Sequence, residues 1–413
     1  MTTSSPSSTQ RLQSLDFMRG LIMILLMLEA TDGYERLAEA AKGTVFVPLV
    51  DQLFHHPWNG LRFWDLIQPG FMFIAGTAMA YSLHQQQKKG VPWRQSFQKV
   101  LKRSGLLLFW GIFIRSVHPD GLSFELWNVL AQLAFTTLVT FLIFRWSITA
   151  QVLVSIGLLI LTELLYRSIR VPGFDQPFTD QHNFGNYIDM LLMHKTSKGG
   201  WVAINCIPTA CHTIWGALAG KLLLSDKPGM VKLRYIVLYG LICLAAGFLL
   251  DFTGVTPIIK RIATSSFVLA SGGWCLLGLA LSYWWIDIRG HQKFVWFFSV
   301  VGVNSLFIYL FMNTVGGGIN EYADKLAAGY LPLIHIPSMT ISLIASLLTF
   351  LMEWYLCWFL NKRRNRDGFI RSFCRQRLVA HATLVGIRKY FDRGATGSAT
   401  AHGRRAAALA GVE

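Results

Sequence analysis

Residues 54–76 read FHHPWNGLRFWDLIQPGFMFIAG. The first seven positions are polar, aromatic or turn-forming, and the remainder is apolar except for Arg62, Asp65 and Gln68. An apolar helix crossing a bilayer needs about 20 residues, and a run of that kind begins at Arg62. The two histidines just before it are not required by the crossing. Pro57 suits the first turn of a helix, so the sequence predicts His55 and His56 at or just before the N-terminal end of this span.

The rest of the chain repeats the apolar pattern. Of 413 residues, 53% are hydrophobic, 13% aromatic and only 15% charged, a composition that assigns the chain to the bilayer rather than to water. Ten candidate spans follow, at 12–30, 62–83, 100–117, 122–144, 148–166, 201–224, 235–252, 262–286, 294–315 and 339–360. The fold expected is all-α, a polytopic bundle of about ten transmembrane helices. Its first span carries Asp16 and Arg19, and two charges in so short an apolar run favour a retained helix over a cleaved leader.

Charge placement gives orientation. If the loops alternate from a cytoplasmic N-terminus, Lys88, Lys89, Arg94, Lys99, Lys102 and Arg103 share one side with Lys221, Lys227, Lys232, Arg289 and the Arg-rich tail, and the other side is poorer in Lys and Arg. Both termini are then expected in the cytoplasm, with His55 facing away from it, in a multi-pass membrane protein. The formal charge of +16 is a topology signal, and no nucleic-acid partner is needed to explain it.

Three parts are expected: a disordered N-terminus at 1–10, a membrane domain at 11–361, and a basic, largely disordered cytoplasmic tail at 362–413. The outer loops 31–61, 167–200 and 316–338 collect Gly, Pro, His and aromatic residues on one face, where a site is usually assembled. Six cysteines lie in or beside spans or in the tail, without CxxC or Cys/His spacing, so neither a disulfide framework nor a metal site is supported.

The local chemistry centres on His55. A helix N-terminus disfavours imidazolium and keeps a lone pair available to attack a thioester or to take a proton, and its free N–H groups can stabilise an oxyanion. Trp58 offers a flat surface and Asn59 an amide for positioning. The bland alternative makes the histidines wetted interface residues and Trp58 an aromatic-belt anchor. Asp65 is costly in an apolar span unless paired. Ten residues of continuous helix advance about 15 Å, so Asp65 reaches His55 only if the entrance is non-helical; otherwise Arg19 is the expected partner, and Asp16 with Arg19 is an expected structural ion pair. His212 is expected as a buried, hydrogen-bonded core histidine, with Glu163 as an alternative partner.

RLQSLDFMRGL at 11–21, followed by HHPWNGLRFWDLIQPGFMFIAG, resembles the transmembrane N-acetyltransferase family typified by heparan-alpha-glucosaminide N-acetyltransferase and its bacterial relatives. HNFGNYIDMLL, PTACHTIWGALAGKLL, PIIKRIATSSFVLASGGWCLLGLALSYWWID and VGVNSLFIYL resemble later segments of that family in the same order, over about 11–360. The resemblance implies transfer of an acetyl group from acetyl-CoA, a substrate rather than a bound cofactor, to an extracytoplasmic amino sugar or other glycan. It carries the catalytic histidine, three residues before Trp-Asn-Gly, onto His55. Asp65 joins it as a catalytic candidate, and Trp58, Asn59, Asn183, Asp189, Lys260 and Asn304 are substrate-binding candidates.

The chain also departs from the family pattern. The family's Val-Leu-Gln-Arg-Ile is NVLAQLAF here, with Gln132 where the family has arginine, and Asp-Pro-Glu-Gly is missing after Asp189. A transporter or flippase, with Asp16, Arg19, Asp65 and Asn304 along a path, and a silent membrane scaffold are the other classes compatible with these residues. A homodimer is compatible as well.

Overall fold

The computed structural model describes residues 12–116 and 123–363. The N-terminal segment 1–10, His118, Cys374 and the tail beyond Arg363 lie outside the described residues. The chain divides into two compact units, Met1–Tyr355 and Leu356–Glu413; the site described below lies in the first.

Among the described residues the fold is all-helical, with isolated β-bridges only at Asn59–Ile259 and Val171–Phe174. In chain order the helices are α1 (Gln13–Ala30), α2 (Gly33–Ala41), α3 (Val47–Val50), α4 (Ile67–Lys88), α5 (Trp93–Ser116), α6 (Val129–Ile143) and α7 (Ile148–Ser168). Then follow α8 (Phe184–Met193), α9 (Cys206–Leu224), α10 (Gly229–Phe252), α11 (Ser265–Ser282), α12 (Val295–Val303), α13 (Ser305–Phe311), α14 (Gly317–Tyr330) and α15 (Ser338–Arg363).

Each of the ten expected spans coincides with a helix or helix pair, but among the described residues only five helices are long and apolar enough to cross a membrane alone: Phe63–Lys88, Ile148–Ser168, Gly229–Phe252, Ser265–Ile288 and Ser338–Arg363. A sixth is reached if α12 and the helix after it, bent by 69° at Asn304, count as one broken span. The expected number is therefore larger than length and composition support among the described residues. The physical reason is visible in two cases. α1 spends apolar length on Asp16, Arg19 and Glu29, and α6 is only 15 residues long.

The outer surface is that of a protein in lipid. On α10 only Ile236, Gly240 and Gly247 are buried, while Leu238, Leu241, Ile242 and Leu249 stand exposed. A helix apolar on its outward face would be a liability in water and is the ordinary state in hydrocarbon.

Inside, small residues let backbones meet, as expected where lipid removes the hydrophobic drive between helices. A Cβ at Gly216 of α9 would lie 1.9 Å from the Phe73 carbonyl oxygen of α4, and one at Gly76 of α4 would lie 1.9 Å from the Thr213 carbonyl oxygen of α9. The two helices therefore interlock reciprocally. Polar caps fix the ends. Asp287 accepts from the Gln13 and Ser14 amides at 3.1 and 3.3 Å, closing the start of α1 from the far end of another span. Asn128 accepts from the Ala131 amide at 3.0 Å and donates to the Gly111 carbonyl at 3.1 Å, joining α6 to α5. His212 is fully buried on α9, with Nε2 2.9 Å from Ser271 Oγ, while Glu163 pairs with Arg167 at 3.0 Å.

Candidate active site

The entrance to the second expected span, Phe63–Lys88, is not helical. After a 3-10 turn at Asp51–Leu53 the chain is extended at Phe54, stays irregular to Arg62, and resumes as a 3-10 turn at Phe63–Leu66 before α4. His55 and His56 are therefore eight and seven positions ahead of the helical start, and the N-terminus expected to hold them begins at Phe63 instead. The reversal needs Gly60. Its φ of +139° is in the region that favours glycine, and a Cβ there would lie 2.6 Å from the His56 ring.

This fold-back brings the two ends of the motif together. His55 Nδ1 lies 2.9 Å from Asp65 Oδ1. The second carboxylate oxygen accepts from the His56 amide at 3.2 Å and the Arg62 amide at 2.9 Å, so Asp65, 1% exposed, is fastened to the loop it organises. The Gly60 amide donates to the Ile258 carbonyl at 2.8 Å, and Asn59 bridges to Ile259. That short antiparallel register delivers the next residue, Lys260, whose Nζ is 3.1 Å from His55 Nδ1 and 3.6 Å from Asp65 Oδ1. Asp65 thus pairs with His55 and Lys260, and the expected pairing with Arg19 is not the arrangement found.

Protonation follows from the donors. An ionised carboxylate only accepts, so the hydrogen between Asp65 and His55 is assigned to Nδ1, leaving Nε2 as the lone-pair nitrogen. Burial, together with the charges of Lys260 and Arg261, holds the imidazole below its ordinary pKa, and the Asp65 bond opposes that only in part. Burial also pushes the Lys260 ammonium down to about 8, with Asp65 and Glu29 resisting. At neutral pH the set is a neutral imidazole, a carboxylate and a lysine that is still mostly charged.

The site opens into a cavity of about 1120 Å³. One end is lined by His55, Trp201, Lys260 and the turn 195–199; the opposite end carries Lys99, Lys102 and Arg103 on α5. The wall between is built from Arg19, Leu26 and Glu29 of α1, Gln68 and Phe71 of α4, Leu130 of α6, and Gly302, Ser305 and Tyr309 around the α12–α13 break. Both Lys99 and Arg115 of α5 line it. Sixteen positions separate them along one helix, an axial distance of about 24 Å, against a bilayer core of about 30 Å. The cavity therefore extends along most of α5, a length comparable to a membrane's apolar depth.

Not every predicted residue reaches it. Trp58 lies outside: its indole donates to the Phe178 carbonyl at 2.8 Å, and its ring packs in the cluster of Tyr166, Phe184 and Ile259. Asn59 is exposed and serves the bridge. Asn183 caps α8, accepting from the Asn186 amide at 3.2 Å and donating to the Thr179 carbonyl at 2.8 Å. Asp189, buried and pushed up to about 7 by burial, accepts from the Trp127 indole and the Ala203 amide, each at 2.9 Å. It meets the cavity only at one remove, through Trp127, which lines it. Asn304 marks the helix break, and its amide donates to the Val300 carbonyl at 3.0 Å. Asp16 stands in the first turn of α1, and Arg19, one turn on, faces the cavity. Gln132, in place of the family's arginine, hydrogen-bonds Gln68 and donates to the Trp127 carbonyl at 3.2 Å.

Two residues emerge only from the structure. Trp201 lies edge-on to His55 with ring centroids 5.5 Å apart and beneath Lys260 at 5.4 Å. It takes the place beside the histidine that Trp58 was expected to occupy. Glu29 of α1 accepts from the Trp64 indole at 3.1 Å. Its sequence signal was present, as a third charge in the first span.

No family model matches the chain. Among curated proteins, heparan-alpha-glucosaminide N-acetyltransferase of Homo sapiens is 26% identical over 370 residues, covering 73% of this chain and 52% of the relative. The protein of the same name from Mus musculus is 32% identical over 114 residues, 28% of this chain and 15% of the relative. The chain spans about half the length of the human relative it matches. Together with the apolar helices, these matches describe an integral membrane protein that bears a distant family resemblance to a membrane N-acetyltransferase.

Proposed function

We propose that this protein is an integral-membrane acyltransferase that takes an acetyl or other short acyl group from acyl-CoA on the cytoplasmic side and delivers it to an extracytoplasmic amine- or hydroxyl-bearing glycan. On this reading all ten helical segments belong to the membrane domain and both termini are cytoplasmic. The observation that carries it is the single cavity with Lys99, Lys102 and Arg103 at one end and the His55–Asp65–Lys260 set at the other. The basic end suits the phosphates of a CoA nucleotide. The apolar wall suits its extended arm, and the far end holds the thioester beside His55.

His55 Nε2 is the working atom, and Asp65 fixes its tautomer from the other side of the ring. Lys260 and the Arg62 guanidinium, which donates to the His55 carbonyl at 3.4 Å, supply positive charge near the thioester carbonyl, where negative charge develops during attack. Purified protein incubated with radiolabelled acetyl-CoA and glucosamine tests the proposal: His55-dependent loss of label from CoA supports it, and equal turnover by a folded His55→Ala variant overturns it.

A second reading has one specific observation in its favour. The helix break at Asn304, with Gly302 and Ser305 lining the cavity, is the kind of interruption that transporters use. A transporter would move an intact solute without consuming acyl-CoA and would keep working when His55 is replaced.

A further inference from the structure

Glu29 has no part in the chemistry described so far. It is the penultimate residue of α1, at the helix end where backbone carbonyls already make a carboxylate unfavourable. It is only partly buried, it lines the cavity, and one of its oxygens accepts from the Trp64 indole at 3.1 Å. No cation among the described residues comes within ion-pair distance of it. Its electrostatic neighbours are Lys260, across the site, and Glu35, on the next helix.

Trp64 is held in turn by Tyr34, whose ring meets it edge-on at 5.0 Å and whose hydroxyl donates to the Leu25 carbonyl at 2.9 Å. The consecutive residues Trp64 and Asp65 therefore each anchor one ionisable side chain of the cavity, Glu29 on one side and His55 on the other. A bond from Trp64 uses one of a carboxylate's several acceptor positions.

The reaction proposed above needs a second proton acceptor. A basic amine arrives as an ammonium and must shed one proton before its lone pair can attack the acyl carbon. It sheds another as the amide forms. His55 Nε2 serves one of these, and Lys260 beside it is a cation that repels an ammonium.

We propose that Glu29 is a catalytic residue that binds the acceptor's ammonium and takes its first proton. This rests on the acyltransferase reading. The nitrogen–carbon bond then forms as the acyl carbon–sulfur bond of acyl-CoA breaks with its electron pair left on sulfur. The second proton passes through His55 Nε2 to the thiolate. The products are the amide, free CoA thiol and one proton on Glu29, which leaves to water.

The test compares wild type with Glu29→Gln and Glu29→Asp, using acetyl-CoA and two acceptors: a basic primary amine and an aminooxy compound that is already neutral at pH 7. Glu29→Gln is expected to lower kcat/KM for the basic amine by about 100-fold or more while leaving the aminooxy acceptor near wild type, and Glu29→Asp is expected to recover much of the loss. An equal fall for both acceptors would assign Glu29 a merely structural task through Trp64 and overturn the proposal, as would no fall for either. Absence of transfer by the wild type to any acceptor would instead remove the acyltransferase reading, and this role with it.

Discussion

His55 Nδ1 and Asp65 Oδ1 are 2.9 Å apart across ten positions of sequence that a continuous helix would have spread over about 15 Å. The loop at Gly60 closes that distance, and in closing it pins Asp65 to the His56 and Arg62 amides. Asp65→Asn keeps the size of the side chain, but its one carbonyl oxygen stays with the His56 and Arg62 amides, so an NH2 faces Nδ1 and the imidazole tautomer reverses. Acyl transfer is expected to fall by about 100-fold or more, with the protein still eluting as a folded species in detergent. Asp65→Ala goes further, leaving Lys260 buried without its partner, a loss of about 3–5 kcal/mol that thermal unfolding would register.

The pH profile follows from charge. The reactive form of His55 is neutral, so the rate falls as the pH drops through its pKa, which burial and Lys260 hold below the ordinary 6.5. Lys260→Met removes a cation 3.1 Å from Nδ1, which makes imidazolium easier to form and raises that pKa. The acid limb of the kcat/KM profile should move to higher pH in the variant; a shift to lower pH would contradict the placement of charge at the site.

At the other end of the cavity, replacing Lys99, Lys102 and Arg103 by Gln removes three cations that precede Arg115 on α5 by about 18–24 Å of helix rise. The expected result is a higher KM for acyl-CoA with kcat little changed, and a weaker dependence of KM on salt. A loss confined to kcat would mean that these residues do not hold the donor.

The α4–α9 seam gives a stability test away from the site. Gly216→Val would drive its side chain into the Phe73 backbone, which Gly216 meets with no room for a Cβ. Overpacking of this kind costs about 1–3 kcal/mol or more. The variant should unfold at lower temperature, whereas Gly105→Ala on α5, with open space around its Cβ position, should not.

The helical fold was legible because apolar run length is a local property, and His55 stood out as a candidate because a histidine pair ahead of an apolar run is visible locally. The span count was less so, because α1 and α6 are too polar or too short to qualify by length and composition. Site partners depend on how distant loops meet. Nothing in the sequence near Trp58 says that its indole is committed to Phe178, or that Trp201 stands by His55 in its stead. Lys260 entered only through the family resemblance; the Asn59–Ile259 bridge that brings it to His55 joins segments some 200 positions apart and leaves no periodic trace.

On the proposed function, one cavity holds acyl-CoA with its phosphates at the basic end and its thioester at the histidine end, where an acceptor from the other side of the membrane takes the acyl group. Proteoliposomes containing the purified protein, with an amine acceptor trapped inside and radiolabelled acetyl-CoA added outside, measure that directly. Label is expected on the trapped acceptor with wild type and none with His55→Ala. Label that stays on CoA, or that reaches only acceptors supplied on the donor's own side, would contradict it.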